Sequence, residues 1–310
     1  MRILFMGTPE IAAACLKAIL DEGKHTVCGA YTREDKPVGR KQVLTAPPVK
    51  QLALERGIPV FQPKTLRDGE AARTIRRLAP DIIVVVAYGR ILPQEVLDIP
   101  PHGAVNLHVS LLPAYRGAAP VQWSVINGDK KTGVTIMQLD AGLDTGDILA
   151  VAPVDIGENE TSGELFERVT AVGAKALCKA LEEIEAGRAH PVPQDHARAT
   201  LAPPLRKETG AFAFTGDAKK LHDLIRGCNP WPGAYFIHEG KKVKVLRSLY
   251  DGKAEGGPGE ILCTKPLTVA CGAGALTLLE VVPEGSRPME GAAWAAGRRF
   301  KVGDRITPGN

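Results

Sequence analysis

Three polar side chains are predicted to share one face at the end of a short strand and to form a small polar site. The segment 105–117 reads VNLHVSLLPAYRG. Alternate side chains of a strand share one face, so Asn106, His108 and Ser110 should project together from the end of the run 104–109. Amide and imidazole N–H groups can stabilise a negative oxygen, and an imidazole can also move a proton.

A carboxylate that can complete this set follows about thirty residues later, in the string GLDTGDIL. Asp144 lies between Gly142 and Gly146, and a loop with such a flexible backbone can bring the carboxylate close to the imidazole. Each residue alone also has an ordinary structural explanation, as a turn residue, a core histidine or a hairpin loop. Their combination with the string SLLPAYRG favours an active site.

The length and composition indicate a globular protein of two domains. A chain of 310 residues is long for one core, and its 44% hydrophobic and 24% charged residues are ordinary values. No apolar run reaches the roughly eighteen residues of a membrane span. The start MRILFMGTPE predicts a strand and a turn rather than a signal peptide. We therefore expect no membrane association and a cytoplasmic location.

Metal and nucleotide cofactors are not indicated by the sequence. The turn GTPE lacks the glycine spacing of a dinucleotide fingerprint, and no phosphate-loop lysine motif occurs. His102 and His108 have neither a zinc-motif spacing nor a neighbouring cysteine or acid cluster. The cysteines are scattered, as expected for reduced, partly buried residues of a cytoplasmic protein; they are Cys15, Cys28, Cys178, Cys228, Cys263 and Cys271.

Basic charge is concentrated in the C-terminal third. The net charge is +4, and residues 206–310 contain sixteen Lys and Arg against eleven Asp and Glu. The first 205 residues are therefore close to neutral. An excess of basic charge suits a polyanionic partner, and a solvated surface is the equally ordinary alternative.

The order of predicted elements indicates an α/β domain followed by a small β domain. Apolar strands alternate with helical stretches in the N-terminal part, which predicts βαβ units and a mostly parallel sheet. The run 81–87 is apolar after its first residue, as in a central strand. A helix is predicted over 162–186, and the proline-containing stretch 187–204 is predicted to be a linker. Short strands around one helix then suggest a small barrel.

Together these motifs resemble the 10-formyltetrahydrofolate-dependent formyltransferases, and among them the methionyl-tRNA formyltransferase family. The resemblance spans nearly the whole chain, through LFMGTPE, DKPVGR, AYGRILP, NLHVSLLPAYRGAAPVQW, GLDTGDIL and NPWPGA. It implies a doubly wound, mostly parallel α/β sheet followed by an OB-like β-barrel. The implied boundaries are a catalytic domain over 1–188, a linker over 189–207 and a tRNA-binding domain over 208–310.

The resemblance implies the reaction and the catalytic residues. The formyl group of 10-formyltetrahydrofolate would move directly to the α-amine of methionyl initiator tRNA. Asn106 and protonated His108 would stabilise the oxyanion, while Asp144 would orient His108 and help to remove the proton of the amine. No metal and no covalent enzyme intermediate are expected, and the protein is expected to be a monomer.

The resemblance also implies two sets of binding residues. Backbone groups and an apolar wall would contact the folate at Ser110, Leu111, Leu112, Pro113, Arg90, Ile91 and Leu92. The loop 32–48 would enter the acceptor end of the tRNA, where an arginine can read the unpaired end and its neighbours can contact phosphates. The residues assigned to tRNA are Arg33, Lys36, Arg40, Lys41 and Lys207. The NPWP string is predicted to be a turn that packs on the barrel.

Three other functions share parts of this pattern. A formyltransferase acting on a nucleotide-linked amino sugar has a similar two-domain layout, but it needs no basic loop such as DKPVGRK. A hydrolase would release formate from the same donor without an acceptor. A non-catalytic RNA-binding relative would not need the intact Asn106, His108 and Asp144.

Overall fold

The computed structural model describes residues 1–39 and 42–307. These residues form two compact units, each built from several segments. The first contains Met1–Gly117, Gly133–Val154 and Arg168–Leu201, and the second contains Ala118–Thr132, Asp155–Glu167 and Ala202 onward.

The strands, in chain order, are β1 (Arg2–Gly7), β2 (Thr26–Tyr31), β3 (Lys36–Val38), β4 (Val43–Thr45), β5 (Val60–Phe61), β6 (Ile82–Val86), β7 (Ala104–His108), β8 (Arg116–Gly117), β9 (Lys131–Gln138), β10 (Ile148–Asp155), β11 (Leu201–Ala202), β12 (Ala234–His238), β13 (Lys241–Asp251), β14 (Ile261–Thr264), β15 (Leu267–Ala270), β16 (Ala275–Pro283) and β17 (Met289–Glu290). The α-helices are α1 (Glu10–Glu22), α2 (Pro48–Glu55), α3 (Glu70–Leu78), α4 (Gln94–Leu97), α5 (Pro120–Ile126), α6 (Ser162–Glu185), α7 (Ala218–Gly227) and α8 (Gly291–Arg298). Short 3-10 helices cover His196–Arg198 and Lys207–Gly210.

The sheet of the first unit has the strand order β10-β9-β7-β6-β1-β2-β5. The pairs β1–β2, β1–β6, β2–β5 and β6–β7 are parallel, and β7–β9 is antiparallel. The predicted mostly parallel α/β sheet is therefore confirmed. Every residue of β6 is buried, which agrees with its prediction as a central strand.

Helices cover this sheet because its strands present apolar side chains alternately to each face. Leu4 and Met6 belong to a core that includes Ala72 and Ile75 of α3. A Cβ at Gly7 would lie 2.6 Å from the Cβ of Ala12, so glycine lets α1 start close to the end of β1. This close approach fixes the strand-to-helix turn GTPE without a dinucleotide fingerprint.

The second unit contains an antiparallel sheet in the order β12-β13-β16-β15-β14, with β17 beside β16. The predicted C-terminal β domain is confirmed at this level. Within the described strands, no backbone pairing joins β14 to β12, so the ladder does not close into a barrel. The expectation of one helix in this domain was wrong. Helix α7 precedes β12, and a second helix, α8, follows β17. Its Trp294 and Ala295 are buried in the core of this unit.

The NPWP string forms a turn that hydrogen bonds anchor. The Asn229 side-chain amide donates to the Leu246 carbonyl at 2.7 Å. The Asn229 carbonyl accepts from the Ser162 hydroxyl at 2.8 Å, within the same unit. Trp231 is 54% exposed, so this indole is not part of the core. The predicted packed turn agrees with these contacts at Asn229.

The cysteines are free, and all except Cys263 are buried. Burial raises the pKa of Cys15, Cys228 and Cys271 to about 12, so these thiols are neutral and unreactive near neutral pH. Across residues 1–39 and 42–307, no helix combines the length and apolar character that a membrane crossing requires.

Candidate active site

Strand β7 carries the first two predicted catalytic residues at the junction of the parallel and antiparallel parts of the sheet. Asn106 pairs with Val85 on one side and with Met137 on the other, and His108 pairs with Thr135. Asn106 is partly exposed, whereas its strand neighbours are buried. The amide therefore reaches an opening in an otherwise covered sheet. Within the described ranges, no protein group hydrogen-bonds to this side chain.

His108 is held between a backbone carbonyl and a carboxylate. The imidazole is 6% exposed. Its Nε2 atom lies 2.8 Å from the Tyr115 carbonyl oxygen, and its Nδ1 atom lies 3.7 Å from Oδ2 of Asp144. Because a carbonyl can only accept, Nε2 must carry the proton of this hydrogen bond. Nδ1, the other ring nitrogen, faces Asp144.

Close backbone packing, rather than flexibility, places Asp144. A Cβ at Gly142 would lie 1.9 Å from Oγ1 of Thr145, and one at Gly146 would lie 1.9 Å from the Gln138 carbonyl. Neither glycine has a positive φ, whereas Asp144 itself has φ +52°. The Gly117 N–H donates to Oδ2 of Asp144 at 2.8 Å. The glycines thus permit a tight loop whose central carboxylate is fixed by a backbone donor.

The segment predicted as a linker supplies residues that the sequence did not suggest. Gln194 is 5% exposed, and its amide donates to the carbonyls of Asp144 at 2.9 Å and Gly146 at 2.7 Å. Thr200 accepts from the Arg116 N–H through its carbonyl at 2.8 Å. A polar residue among prolines gave no pattern from which this contact could be predicted.

The four residues after Val109 leave the strand and enter a turn, in which the Ala114 N–H donates to the Leu111 carbonyl at 3.1 Å. The strand ends at His108, so Ser110 does not continue its face as expected from the alternation. The Ser110 hydroxyl instead donates to the Ala114 carbonyl at 2.6 Å, and the Ser110 carbonyl accepts from Thr135 at 2.7 Å. The Leu112 N–H donates to the same Thr135 hydroxyl at 3.1 Å. Leu111 and Pro113 complete this turn.

Arg90 and Ile91 line a cavity of about 220 Å³ together with the segment Thr65–Arg67. Arg90 donates to Oε1 of Glu34 at 2.9 Å and to the Lys64 carbonyl. Ile91 is 73% exposed. The neighbouring Leu92 is buried in the core with Val96 and does not line this cavity.

The predicted tRNA loop is partly a hairpin, in which β3 pairs with β4 in antiparallel fashion. Arg33 donates to the Gly89 carbonyl at 2.7 Å, which ties the base of this loop to the segment after β6. Lys36 is exposed on β3, and Leu44 on β4 is 66% exposed. Arg40 and Lys41 lie outside the described residues. Lys207 is exposed in a 3-10 helix of the second unit.

No metal centre was found among the described residues. No group of three or more His, Cys, Asp or Glu side chains in residues 1–39 and 42–307 is arranged to hold a metal ion.

Known families match both parts of the chain. Residues 1–181 match the formyl transferase family, and residues 204–299 match the formyl transferase C-terminal domain. The chain is 47% identical to the methionyl-tRNA formyltransferase of Anaeromyxobacter sp. (strain K), over 98% of the chain and 100% of that protein. It is 43% identical to the methionyl-tRNA formyltransferase of Alkaliphilus oremlandii (strain OhILAs), over 100% of the chain and 99% of that protein.

A solved structure has the same fold at much lower identity. It is the N-formyltransferase from Helicobacter canadensis, in complex with folinic acid and dTDP-3-aminofucose. The TM-score is 0.69 and the identity 18%, over 90% of the chain and 99% of that protein. The two family matches and the full-length relatives agree with each other: the chain belongs to the formyl transferases, in the family of the methionyl-tRNA formyltransferases.

Proposed function

We propose that the protein transfers the formyl group of 10-formyltetrahydrofolate to the α-amine of methionyl initiator tRNA. The products are formylmethionyl-tRNA, which serves translation initiation, and tetrahydrofolate. The relatives that match over nearly their full length are named methionyl-tRNA formyltransferase, which supports this proposal. Within the molecule, the observation that carries the proposal is the His108–Asp144 pair, together with the Asn106 amide, which has no hydrogen-bond partner among the described residues.

The amine nitrogen attacks the formyl carbon, and the carbonyl oxygen becomes negatively charged in the tetrahedral intermediate. The free N–H groups of Asn106 can donate to this oxygen, and a protonated His108 adds positive charge beside it. The Nε2–H of His108 donates to the Tyr115 carbonyl, and this hydrogen bond keeps the ring in one orientation. Preorganised donors of this kind stabilise the developing charge without reorganising during the reaction.

Asp144 supports His108 and assists removal of the proton. The attacking amine must lose one proton, while N10 of the folate must gain one as the C–N bond breaks. The Asp144 carboxylate faces Nδ1 and stabilises the imidazolium. It accepts the proton of the amine directly or through water, and this proton then passes to N10 of the leaving folate. The formyl group moves in one transfer, with no covalent enzyme intermediate.

We assign folate binding to the turn Ser110–Pro113 and to Arg90, Ile91 and Leu92. The buried bonds of Ser110 to Ala114 and Thr135 favour this site, because they make the turn rigid. The cavity beside Arg90 and Ile91 supplies space next to an apolar side chain. The Leu92 side chain is buried in the core, which leaves only its backbone for such a contact.

We assign tRNA binding to Arg33, Lys36, Arg40, Lys41 and Lys207, together with a C-terminal domain of OB type. The boundaries proposed are 1–188 for the catalytic domain, 189–207 for the linker and 208–310 for the tRNA-binding domain. Exposed cations at Lys36 and Lys207 favour phosphate contacts. We further propose that the enzyme is a cytoplasmic monomer that uses no metal.

The test is an acceptor comparison with 10-formyltetrahydrofolate as donor. Charged initiator tRNA, a nucleotide-linked amino sugar and a reaction without acceptor are run side by side, with wild type and His108→Ala. We expect formyl product on the tRNA with wild type and its loss in the variant. Formylated sugar, or formate released without acceptor, would contradict the proposal and identify one of the two competing enzymes. Binding of tRNA without turnover would indicate a non-catalytic relative.

A further inference from the structure

Gln194 connects the loop that carries Asp144 to the segment that holds His108. Its Nε2 atom donates to the carbonyls of Asp144 and Gly146, which flank Thr145. The two N–H groups of one amide therefore bind the backbone carbonyls on either side of Thr145, the residue after Asp144.

Arg116 determines which way the Gln194 amide points. The guanidinium is 8% exposed, and its Nε and Nη2 atoms donate to Oε1 of Gln194 at 3.2 Å and 2.6 Å. Nη2 also lies 3.0 Å from Nδ1 of His196. An arginine can only donate, so Oε1 must face Arg116 and the NH₂ group must face the loop. The orientation of the amide follows from this chemistry.

Arg116 lies between the two backbone groups that hold the candidate catalytic pair. The Tyr115 carbonyl accepts from His108, and the Gly117 N–H donates to Asp144. The contacts therefore form a closed network. The His108 imidazole bonds residues 115–117, Arg116 bonds Gln194, and Gln194 bonds the backbone carbonyl of Asp144, whose carboxylate faces the imidazole. Every member of this network lies in the first compact unit.

We propose that Gln194 is a positioning residue that holds the Asp144 loop in its productive geometry, with Arg116 orienting its amide. This inference rests on the proposed function, because it concerns the same carboxylate. Asp144 has φ +52°, a left-handed conformation that is uncommon for residues other than glycine and that surrounding contacts must maintain. The two Gln194 bonds are such contacts, and misplacement of a catalytic group by about 1 Å can reduce a rate about 100-fold.

The decisive variant is Gln194→Glu, which keeps the shape and the bond to Arg116 but replaces both donors by a carboxylate oxygen. That oxygen would face the carbonyls of Asp144 and Gly146 and repel them. We expect kcat to fall about 10- to 100-fold, with the KM values for folate and tRNA changing less than about 3-fold. Gln94→Glu is the matched control, because its amide bonds only the exposed Asp98 side chain at 2.7 Å. This control should keep kcat within about 2-fold.

A second background tests whether Gln194 acts through Asp144. The double variant Asp144→Asn/Gln194→Glu should have a kcat within about 2-fold of that of Asp144→Asn alone, because the loop no longer positions a carboxylate. A loss that multiplies fully with that of Asp144→Asn would overturn the inference. Amide hydrogen exchange of the peptide 138–147 gives a readout besides activity, and it should quicken in Gln194→Glu while the strands of the sheet stay protected.

The outcomes separate this inference from the proposed function. If wild type transfers the formyl group and Asp144→Asn impairs it, near-normal kcat of Gln194→Glu overturns the positioning role alone. If wild type transfers no formyl group to charged tRNA, the proposed function fails and the inference fails with it. If Gln194→Glu does not fold, Gln194→Ala replaces it, and unchanged kcat in that variant again overturns the positioning role.

Discussion

His108 and His238 are almost equally buried, at 6% and 5% exposure, but the groups that hold the two rings differ. His108 lies between the Tyr115 carbonyl and the Asp144 carboxylate. The His238 ring lies against Trp294 and Phe300, with ring centroids at 5.8 Å and 5.3 Å. Its Nε2 atom lies 3.9 Å from the carboxylate of Glu239, whose side chain is 62% exposed, whereas that of Asp144 is 15% exposed. Burial alone therefore does not identify a catalytic histidine. The hydrogen bonds around it do, because the Tyr115 carbonyl and the Gly117 N–H fix His108 and Asp144 relative to each other.

The aromatic surroundings of His238 disfavour its charged form. Burial lowers the pKa of His238 below its ordinary value, against an opposing effect of the neighbouring Glu239 carboxylate. The ring is thus neutral near neutral pH and packs as an apolar group. Burial also lowers the pKa of His222, whose Nδ1 atom lies 3.0 Å from the Ser248 hydroxyl. We interpret both histidines of the second unit as structural.

After the loss of His108 itself, removing the charge beside it should have the largest effect on formyl transfer. We expect Asp144→Asn to reduce kcat for formyl transfer on the order of 100-fold, since the amide keeps the shape but neither stabilises an imidazolium nor accepts a proton. The measurement is steady-state transfer to charged initiator tRNA. Asp140→Asn is the control in the same loop, where the carboxylate bonds Gly142 and Thr145. Equal losses in both variants would remove the special role of Asp144.

Much of the parallel sheet could be predicted from sequence, because its signals are local. The apolar run of β6 and the helix over 162–186 lie where they were expected, the helix as Ser162–Glu185. The approach of Asp144 to His108 rests on two short motifs, so it could also be anticipated. The roles of Gln194 and the Tyr115 carbonyl could not, because they depend on where a distant, non-periodic segment folds back and on a backbone group that every residue has.

The second unit shows the other limit of local signals. The antiparallel strands followed from alternation, but α8 was missed because its glycine and alanine residues give a weak helical period. Closure of a sheet depends on pairing between its first and last strands, which no local pattern specifies. The OB assignment therefore remains a proposal from the family resemblance.

Removing the charge of Arg40, which is not part of the His108–Asp144 pair, should affect tRNA binding more than the chemical step. We expect Arg40→Ala to lower kcat/KM for charged initiator tRNA about 10-fold, while folate binding changes less than about 2-fold. Both are measured on one preparation, by transfer kinetics and by titration with the folate. Lys17→Ala, which removes an exposed cation paired with Asp21 on α1, serves as the control. Equal loss of folate and tRNA binding would exclude the role assigned to Arg40.

The smallest expected effect is that of His238 on the pH dependence of folding stability. Because the fold disfavours charged His238, the unfolded chain binds the proton more readily, and stability falls as the pH drops below the ordinary histidine value of 6.5. His238→Phe keeps an aromatic ring and removes this proton uptake. When the pH is lowered from about 7.5 to about 5.5, we expect the melting temperature of the variant to fall by about 2 °C less than that of wild type. Identical pH dependence in both proteins would contradict the assignment of His238.

The most direct measurement is the single-turnover rate of formyl transfer from 10-formyltetrahydrofolate to charged initiator tRNA, in wild type, His108→Ala and His238→Phe. We expect His108→Ala to be slower on the order of 1,000-fold at saturating substrates, and His238→Phe to remain within about 2-fold of wild type. Similar rates in wild type and His108→Ala would contradict the assignment of the His108–Asp144 pair as the catalytic centre.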